Sequence, residues 1–421
     1  MKTVIIGAGL AGLSAAIKLK GDFLILEKES RPGGFCRTEI KNGFVFDYTG
    51  HLLHLRDEKI EKFITENFEG KLNKIKRKSF VFSYNVYTGY PYQVNNYGLP
   101  EKVIEENLIG FIRAKIRNKI ESDNFKKWVI SNFGGGIAKN FMFPYNEKLW
   151  KYPLEKLTIN WMGRFVPSTT IENILKGLYK NNELNIGYNV YFYYPEKGGI
   201  ESIINCLYKK VEKKVVLNAY VKKVDLLKKI VYYNDKSIKY DNLIVTMSLK
   251  EFLKLIDDKI ATFYNKLKAT SVYALNFGFI SKEKIDKNWV YVPEKKFLFY
   301  RIGFPHTFSS FNAPAGYSSL FAEISFRDKI PANAKEKCIN DLIKMGVIKK
   351  IKDIKLIYPM VLKDAYVIYD KERERVLPLI KEKIKKYDIY TAGRWGNWEY
   401  SSMEDAIKEG FEVADLINKK G

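Results

Sequence analysis

The chain has few of the residues that form disulfides and metal sites. Its 421 residues include three cysteines, Cys36, Cys206 and Cys338, and one glutamine, Gln93. Cysteines that are odd in number and far apart in sequence give neither a disulfide framework nor paired metal ligands. This usage is typical of a reducing compartment, so we expect a cytoplasmic protein without disulfides.

Long hydrophobic runs are also missing. No stretch of about 18 apolar residues occurs, so no transmembrane helix is predicted. The first residues, MKTVIIGAGLAG, are apolar, but glycines interrupt the run and no cleavage site of small residues follows, which argues against a secretory signal. With 46% apolar and 29% charged residues, a chain of this length is typical of a globular protein with two or three domains.

Acidic residues are scarce relative to basic ones, since 72 lysines and arginines against 48 acidic residues give a formal net charge of +24. Such a balance can indicate binding to nucleic acid, to an anionic surface or to an anionic small substrate. The basic residues are dispersed, without a block of about five like charges, so nucleic acid is not an expected partner. A basic segment at 105–129 favours a solvated helix face, with peripheral membrane contact as the alternative.

The first 27 residues predict a strand, a helix and a second strand. The strands are TVIIG (3–7) and FLILE (23–27), and the helix over 10–20 has one apolar face. This order predicts a parallel sheet. Further predicted elements are helices at 57–68 and 101–131, strands within 215–248 and 268–330, a last strand at 387–393 and a closing helix at 403–418.

The fold class predicted from this order is α/β, with one parallel sheet assembled from distant segments and further domains inserted between them. The expected Rossmann-type nucleotide-binding domain comprises 1–85, 190–265 and 385–421. A mainly helical substrate domain is expected at 86–189, and a β-rich substrate domain at 266–384.

A glycine motif lies where the first strand ends and the first helix begins. Gly7 permits a tight turn, Gly9 lets a pyrophosphate approach the backbone, and Gly12 lets the helix pack closely on the strand. Glu27 follows at the end of the second strand, where a carboxylate accepts hydrogen bonds from a ribose. A strand before the motif and a helix after it together predict a dinucleotide site.

Three distant stretches resemble the superfamily of FAD-containing amine oxidases, porphyrinogen oxidases and sugar mutases. They are EKESRPGGFCRTEIKNGFVFDYTGH (27–51), VLNAYVKKV (216–224) and TAGRWGNWEYSSMEDAIKEG (391–410). The resemblance implies that FAD, rather than NAD, is the resident cofactor. The cofactor-binding residues that it implies are Gly33, Gly34, Arg37, Val221, Gly393, Arg394 and Met403.

Further stretches resemble the UDP-galactopyranose mutases, particularly the eukaryotic type. GYPYQVNNYGLP (89–100) is similar to the uridine-binding segment of that family, which implies that Tyr90, Tyr92 and Gln93 hold the base. A turn with packing tyrosines is the alternative for the two aromatic residues.

Two more segments extend the resemblance to the sugar pocket. PYNEKLWKYPLEKLTINWMGRFV (144–166) implies that Trp150 lines the pocket and that Arg164 approaches the diphosphate. NIGYNVYFYYP (185–195) contains Asn185 and Asn189 at the family's spacing. They are implied to bind sugar hydroxyls, with ordinary turn residues as the alternative.

An arginine in an aromatic stretch, WVYVPEKKFLFYRIGF (289–304), needs a partner because a buried guanidinium is costly when unpaired. A phosphate is one such partner and a structural salt bridge is the other. The resemblance implies that Tyr291 and Arg301 hold the diphosphate. It adds Tyr366, Arg394 and Tyr400 to the substrate and flavin site.

The resemblance implies a reduced-flavin isomerase that interconverts the pyranose and furanose forms of a UDP-sugar, for cell-surface polysaccharide biosynthesis. Flavin N5 attacks the anomeric carbon, and the implied catalytic residues are His51, Arg301, Arg394 and Tyr400. NAD(P)H is expected as a transient reductant. Two stretches depart from the family pattern, AYVIYDKERER (365–375) and SSMED (401–405), and leave the sugar open.

Two histidines in FDYTGHLLHL (46–55), His51 and His54, have the spacing of metal ligands. His306 is the only other histidine and no cysteine pair is near, so no metal site is predicted. The stretch resembles the Gly-His loop that crosses the flavin face in the mutases. This implies that Gly50 permits close approach and that His51 lies beside the flavin, while His54 either supports it or packs.

Two other functions remain open. One is net oxidation of an amine, a porphyrinogen or a polyene by an FAD-dependent oxidoreductase or desaturase of the same fold. The other is flavin binding by a protein whose catalytic pocket has decayed.

Overall fold

The computed structural model describes residues 1–116, 122–163, 166–179, 190–281 and 283–420. The strands are β1 (Lys2–Ile6), β2 (Asp22–Leu26), β3 (Thr38–Lys41), β4 (Phe44–Asp47), β5 (Leu72–Lys76), β6 (Ser79–Ser83), β7 (Val86–Gly89), β8 (Tyr191–Pro195), β9 (Val215–Val216), β10 (Val221–Asp225), β11 (Ile230–Tyr233), β12 (Lys236–Lys239), β13 (Asn242–Val245), β14 (Ala269–Phe279), β15 (Trp289–Tyr291), β16 (Arg301–Gly303), β17 (Ser318–Phe326), β18 (Ile354–Val367) and β19 (Ile389–Thr391). The helices are α1 (Leu10–Lys18), α2 (Glu58–Asn67), α3 (Glu101–Ile116), α4 (Phe125–Ile137), α5 (Phe143–Trp150), α6 (Ile171–Tyr179), α7 (Glu201–Lys209), α8 (Leu249–Leu253), α9 (Ala334–Lys344), α10 (Lys371–Lys385), α11 (Gly393–Gly396) and α12 (Met403–Asn418).

The parallel sheet predicted from the sequence is confirmed. Its described strands lie in the order β19, β13, β1, β2, β9, and each neighbouring pair runs in parallel. These strands come from the start, the middle and the end of the chain. The apolar run of β1 is buried on both faces. Ile5 belongs to a core cluster with residues of α1 and α12, and Val4 and Ile6 belong to one with residues of β10 and β11.

A second sheet has the described order β18, β14, β17, β16, β15, β6, β7. Its neighbouring strands are antiparallel except for β15 and β6. The predicted domain boundary at residue 85 falls in the turn between β6 and β7, so this hairpin pairs with strands of the region predicted as the β-rich domain. The domain bounds themselves stay a prediction.

The single helix predicted over 101–131 is wrong. The structure has a helical hairpin, in which α3 ends at Ile116 and α4 begins after Asn124. The side chain of Asn124 accepts a hydrogen bond from the backbone N–H of Lys127 at 3.0 Å, which satisfies a donor at the start of α4. Amphipathic periodicity continues in the sequence between the two helices, so the pattern alone does not separate them. No helix in the described ranges is long and apolar enough to cross a membrane.

The two helices of the hairpin pack at backbone distance. A Cβ atom on Gly136 would lie 1.9 Å from the carbonyl oxygen of Glu106 in α3, whereas a Cβ atom on Gly135 would meet nothing within 4 Å. This neighbouring pair therefore offers one glycine that the packing requires and one that it does not.

We expect Gly136→Ala to lower the free energy of unfolding by about 1–3 kcal/mol, because the helices must move apart to admit the methyl group. Gly135→Ala is the matched control and should be neutral or stabilising by up to about 1 kcal/mol, since alanine favours a helix over glycine. Urea denaturation measures both. Equal effects of the two substitutions would contradict the close packing.

Candidate functional site

A cavity lies where the loop after β4, helix α5, the strands β15 to β17 and the loop before α12 meet. Its wall brings together residues that are up to 368 positions apart, from Phe35 to Met403. The residues on this wall that the sequence predicted are Gly50, His51, Tyr90, Gln93, Tyr291, Arg301, Tyr366, Arg394, Tyr400 and Met403.

Arg301 in β16 pairs with Glu323 in the neighbouring strand. Its Nε and Nη2 atoms donate to the two carboxylate oxygens at 2.5 and 2.9 Å. Burial opposes the charge of Arg301, but the carboxylate of Glu323 and the hydroxyls of Tyr366 and Tyr300 together outweigh it and raise the pKa of the guanidinium well above its usual value. The ion pair uses two of the five N–H groups of a guanidinium, so donors remain for a ligand.

Arg394 follows the short turn after β19 and lies among aromatic rings. Its guanidinium carbon is 4.7 Å from the centre of the Tyr400 ring and 5.6 Å from that of Tyr366. The two tyrosine rings stack with centres 6.0 Å apart. Since Nε of Arg394 is buried without a hydrogen-bond partner among the described residues, this wall presents a cation that a negatively charged or polar group would satisfy.

His51 lies on the same wall and is not a cation at neutral pH. Burial, and then the charge of Arg394, lower the pKa of His51 to about 4. Its Nδ1 atom is buried without a hydrogen-bond partner in the described structure. His54, whose pKa burial also lowers to about 4, places Nδ1 3.1 Å from the carbonyl oxygen of Tyr191 and packs on Phe192. Of the two Nδ1 atoms, that of His51 is therefore the one without a partner among the described residues.

The two glycine turns lie against each other. The N–H of Gly33 donates to the carbonyl of Ala8 at 2.9 Å, and a Cβ atom on Gly34 would lie 3.7 Å from the Cα atom of Gly9. Gly33 and Gly34 have φ angles of 117° and 57°, a region that favours glycine. Glu27 accepts from the N–H of Ala8 at 2.7 Å, so its carboxylate is held at the first turn.

The backbone around the first turn is built for close approach. Gly7 has a φ of 107°, and a Cβ atom on Gly12 would lie 2.1 Å from its carbonyl oxygen. The segment between β19 and α12 also lies close to α1, because a Cβ atom on Gly393 would lie 2.8 Å from that of Ala11. The predicted roles of these glycines in turning and packing agree with these contacts.

Residues 10–418 match the family of flavin containing amine oxidoreductases. The chain belongs to this family. Its fold is similar to that of a crystal structure of reduced UDP-galactopyranose mutase, with a TM-score of 0.94, 25% sequence identity, and coverage of 100% of this chain and 96% of that chain.

Two other solved structures share the fold at lower identity. A protein described as a protoporphyrinogen oxidase from Exiguobacterium sp. 255-15 has a TM-score of 0.78 and 16% identity, with 100% of this chain and 99% of that chain covered. Wild-type putrescine oxidase bound to putrescine has a TM-score of 0.69 and 14% identity, with 99% of each chain covered. The family match and the shared fold together show that the protein is a flavin-dependent enzyme with FAD as its cofactor.

The residues of this flavoenzyme fit FAD. A Cβ atom on Gly9 would meet nothing within 4 Å, so the backbone there is open to a phosphate at the start of α1. Glu27 is close enough to the same turn to accept from a ribose. At the other end, His51, Arg394 and Ser401 line the cavity with buried polar atoms that have no partner among the described residues. These are positions where a flavin ring system would supply partners.

Arg37 and Val221 lie near the first turn rather than at the cavity. The Arg37 guanidinium donates to the carbonyl oxygens of Pro32 and Arg31 at 3.2 and 3.0 Å, and approaches Glu27 to 4.0 Å. Val221 is buried at the start of β10, two residues after an N–H that donates to the Glu27 carbonyl. Their contacts with FAD stay predictions.

Tyr92 and Trp150 lie apart from the other predicted residues, because both side chains are fully buried and neither belongs to the cavity wall. Tyr92 stacks on Phe141, and its hydroxyl accepts from Asn107 at 3.2 Å. The indole N–H of Trp150 donates to Asn146 at 2.9 Å. Both rings are part of the core in this structure. Their predicted contacts with a base and a sugar stay predictions.

Three predicted residues lie outside the described part of the chain: Arg164, Asn185 and Asn189. Their contacts with the diphosphate and the sugar stay predictions.

Sequence reasoning missed several residues of the wall, including Tyr145, Asn146, Glu323 and Trp395. Tyr145 and Asn146 begin the same motif from which Trp150 was chosen. Glu323 had a signal of its own, as the single charged residue in the apolar strand SSLFAEISF (318–326), where a buried carboxylate needs a cationic partner.

We expect His51→Gln to reduce the acid sensitivity of the flavin-free protein. The pKa of His51 is about 4 when folded and about 6.5 when unfolded. Between these values the unfolded chain binds the extra proton, so the free energy of unfolding falls as the pH drops from about 6.5 to about 4. The variant should lose up to about 1.4 kcal/mol per pH unit of that slope. Urea denaturation across this pH range measures the change in slope. If the free energy of unfolding of the variant and of the parent protein has the same pH dependence, the low pKa of folded His51 is contradicted.

Proposed function

We propose that the protein is a reduced-FAD mutase that interconverts the pyranose and furanose forms of a UDP-sugar. The observation that carries the proposal is the charge of the cavity: two arginines, Arg301 and Arg394, lie on a wall whose other residues are mainly aromatic and aliphatic. The resemblance in fold and sequence to a reduced UDP-galactopyranose mutase supports the same class of reaction.

The arginines bear on the choice between a mutase and an amine oxidase. An amine substrate carries a positive charge in water, and a cavity with two partly buried cations repels it unless acidic residues compensate. Glu323 compensates for Arg301 only, since both of its oxygens face that guanidinium. A diphosphate is attracted by the same arrangement, so the electrostatics favour an anionic substrate.

The aromatic rings on one side of the cavity suit a nucleoside. Tyr90 and Tyr291 lie with ring centres 4.7 Å apart, and Gln93 is next to them on the wall. The Gln93 side-chain N–H donates to the carbonyl of Pro167 at 2.8 Å, which leaves the amide oxygen to accept from the edge of a base. We assign uracil to this side and the diphosphate to Tyr291 and Arg301.

The sugar then lies toward Tyr366, Tyr400 and Arg394, on the side of the predicted flavin contacts. Reduced FAD, when bound, supplies the nucleophilic nitrogen for attack on the anomeric carbon. Arg301 stabilises the negative charge that develops on the departing diphosphate, a contribution worth about 3–4 kcal/mol for a well-placed donor. His51 is neutral, so it can donate or accept a hydrogen bond beside the flavin without adding charge.

The decisive experiment compares reduced and oxidised protein. Dithionite-reduced protein should interconvert UDP-galactopyranose and UDP-galactofuranose, and oxidised protein should not, with both sugars separated by chromatography. Reduced protein that leaves several UDP-sugars unchanged, while oxidised protein consumes oxygen with an amine or a porphyrinogen, would reject the proposal in favour of an oxidoreductase.

A second prediction concerns Arg301 itself. Arg301→Lys should weaken UDP binding by more than about tenfold, or about 1.4 kcal/mol, because lysine keeps a charge beside Glu323 but loses the planar fork that holds a phosphate. FAD should remain bound. Titration calorimetry with UDP measures the change.

Arg375→Ala is the control, since its side chain is 56% exposed and pairs only at the surface. Unchanged UDP affinity in Arg301→Lys would show that Arg301 does not bind the diphosphate.

A further inference from the structure

Glu404 lies in the first turn of α12, within the SSMED stretch that departs from the mutase pattern. Its side chain is only 4% exposed. Oε1 accepts from the backbone N–H groups of Arg56 and Asp57 at 2.5 and 2.8 Å. Oε2 accepts from Nε and Nη2 of Arg56 at 3.1 and 2.6 Å. One buried carboxylate thus binds four N–H donors of a distant segment.

That segment is the end of the loop that carries His51. We call residues 49–57 the histidine loop. Its middle is held by Leu53, which exchanges two backbone hydrogen bonds with Tyr193 at 3.2 and 2.7 Å. Its end is Asp57, whose side chain caps α2 by accepting from the N–H of Lys59. Glu404 therefore binds the loop at the point where it passes into a helix.

The turn that carries Glu404 also belongs to the cavity wall. Ser402 and Met403 line the cavity, and the side chains of Ser402 and Asp405 form a capping box that fixes the start of α12. Glu404 itself does not line the cavity. It connects one rigid part of the wall, the start of α12, to another, the histidine loop.

We propose that Glu404 is a positioning residue that holds His51 against the flavin site. Two of the donors that it binds are backbone N–H groups, which have a fixed direction, so the carboxylate sets the path of the loop and not only the position of one side chain. A buried carboxylate with four donors is satisfied, whereas its removal leaves those backbone groups without a partner. The end of the loop at Arg56 and Asp57 then moves to reach water, and His51 shifts as this movement loosens the pairing of Leu53 with Tyr193.

The test uses FAD-loaded protein and needs no UDP-sugar, so its failure is distinct from failure of the proposed function. Glu404→Ala should raise the amide exchange rate of the peptide 49–57 by more than about tenfold. It should also change the visible circular dichroism of the bound oxidised flavin, which a merely structural ion pair would leave alone. If that variant does not fold, Glu404→Asp withdraws the carboxylate by one methylene group and should give the same changes.

Three further variants separate the backbone contacts from the ion pair. Glu404→Gln keeps an oxygen for the two backbone N–H groups and should restore exchange and spectrum to within about threefold of the parent values. Arg56→Met removes the guanidinium but not the N–H groups and should behave likewise. Glu412→Ala, at an exposed position of the same helix, should have no effect on the loop.

Two results would overturn the proposal. The first is an unchanged exchange rate and flavin spectrum in folded Glu404→Ala. The second is an Arg56→Met variant that reproduces the full effect of Glu404→Ala, which would mean that the ion pair, and not the backbone contacts, holds the loop.

Discussion

Close contact around the first helix is the constraint on which the site depends. A Cβ atom on Gly12 would lie 2.1 Å from the carbonyl of Gly7, and one on Gly410 would lie 2.5 Å from the carbonyl of Ala11. Gly393 meets the side chain of Ala11 at 2.8 Å in the same way. The last helix therefore lies directly on the first, and the end of the chain reaches the nucleotide turn only because no side chain intervenes.

This packing determines what can line the cavity. Arg394 and Met403 lie in or just before α12, so the packing of α12 on α1 places them on the cavity wall. Glu404, in the first turn of α12, binds the histidine loop. The seven-stranded sheet contributes Arg301 and its partner Glu323 to the wall. The cavity is thus assembled by one sheet, helix ends and loops, and its two cations come from elements that are not neighbours in sequence.

Local patterns were sufficient for the parallel sheet and the nucleotide turn. The glycine motif, the strand before it and the carboxylate of Glu27 are within one short segment, so their spacing carries the geometry. The same reasoning failed for 101–131, where two amphipathic helices share one continuous pattern. It also did not indicate that Tyr92 and Trp150 are fully buried, because a motif shows which residues are near a site but not which side chains face it.

By itself, the sequence determined the class of fold, the dinucleotide turn and the aromatic stretch around Arg301. These depend on hydrophobic periodicity and on glycine, whose effects act over a few residues. Only the tertiary structure decided that Glu323 pairs with Arg301, that Tyr92 is enclosed, and that Glu404 binds the histidine loop. The physical reason is that burial and hydrogen bonding join segments hundreds of residues apart, and no local pattern records which of them meet.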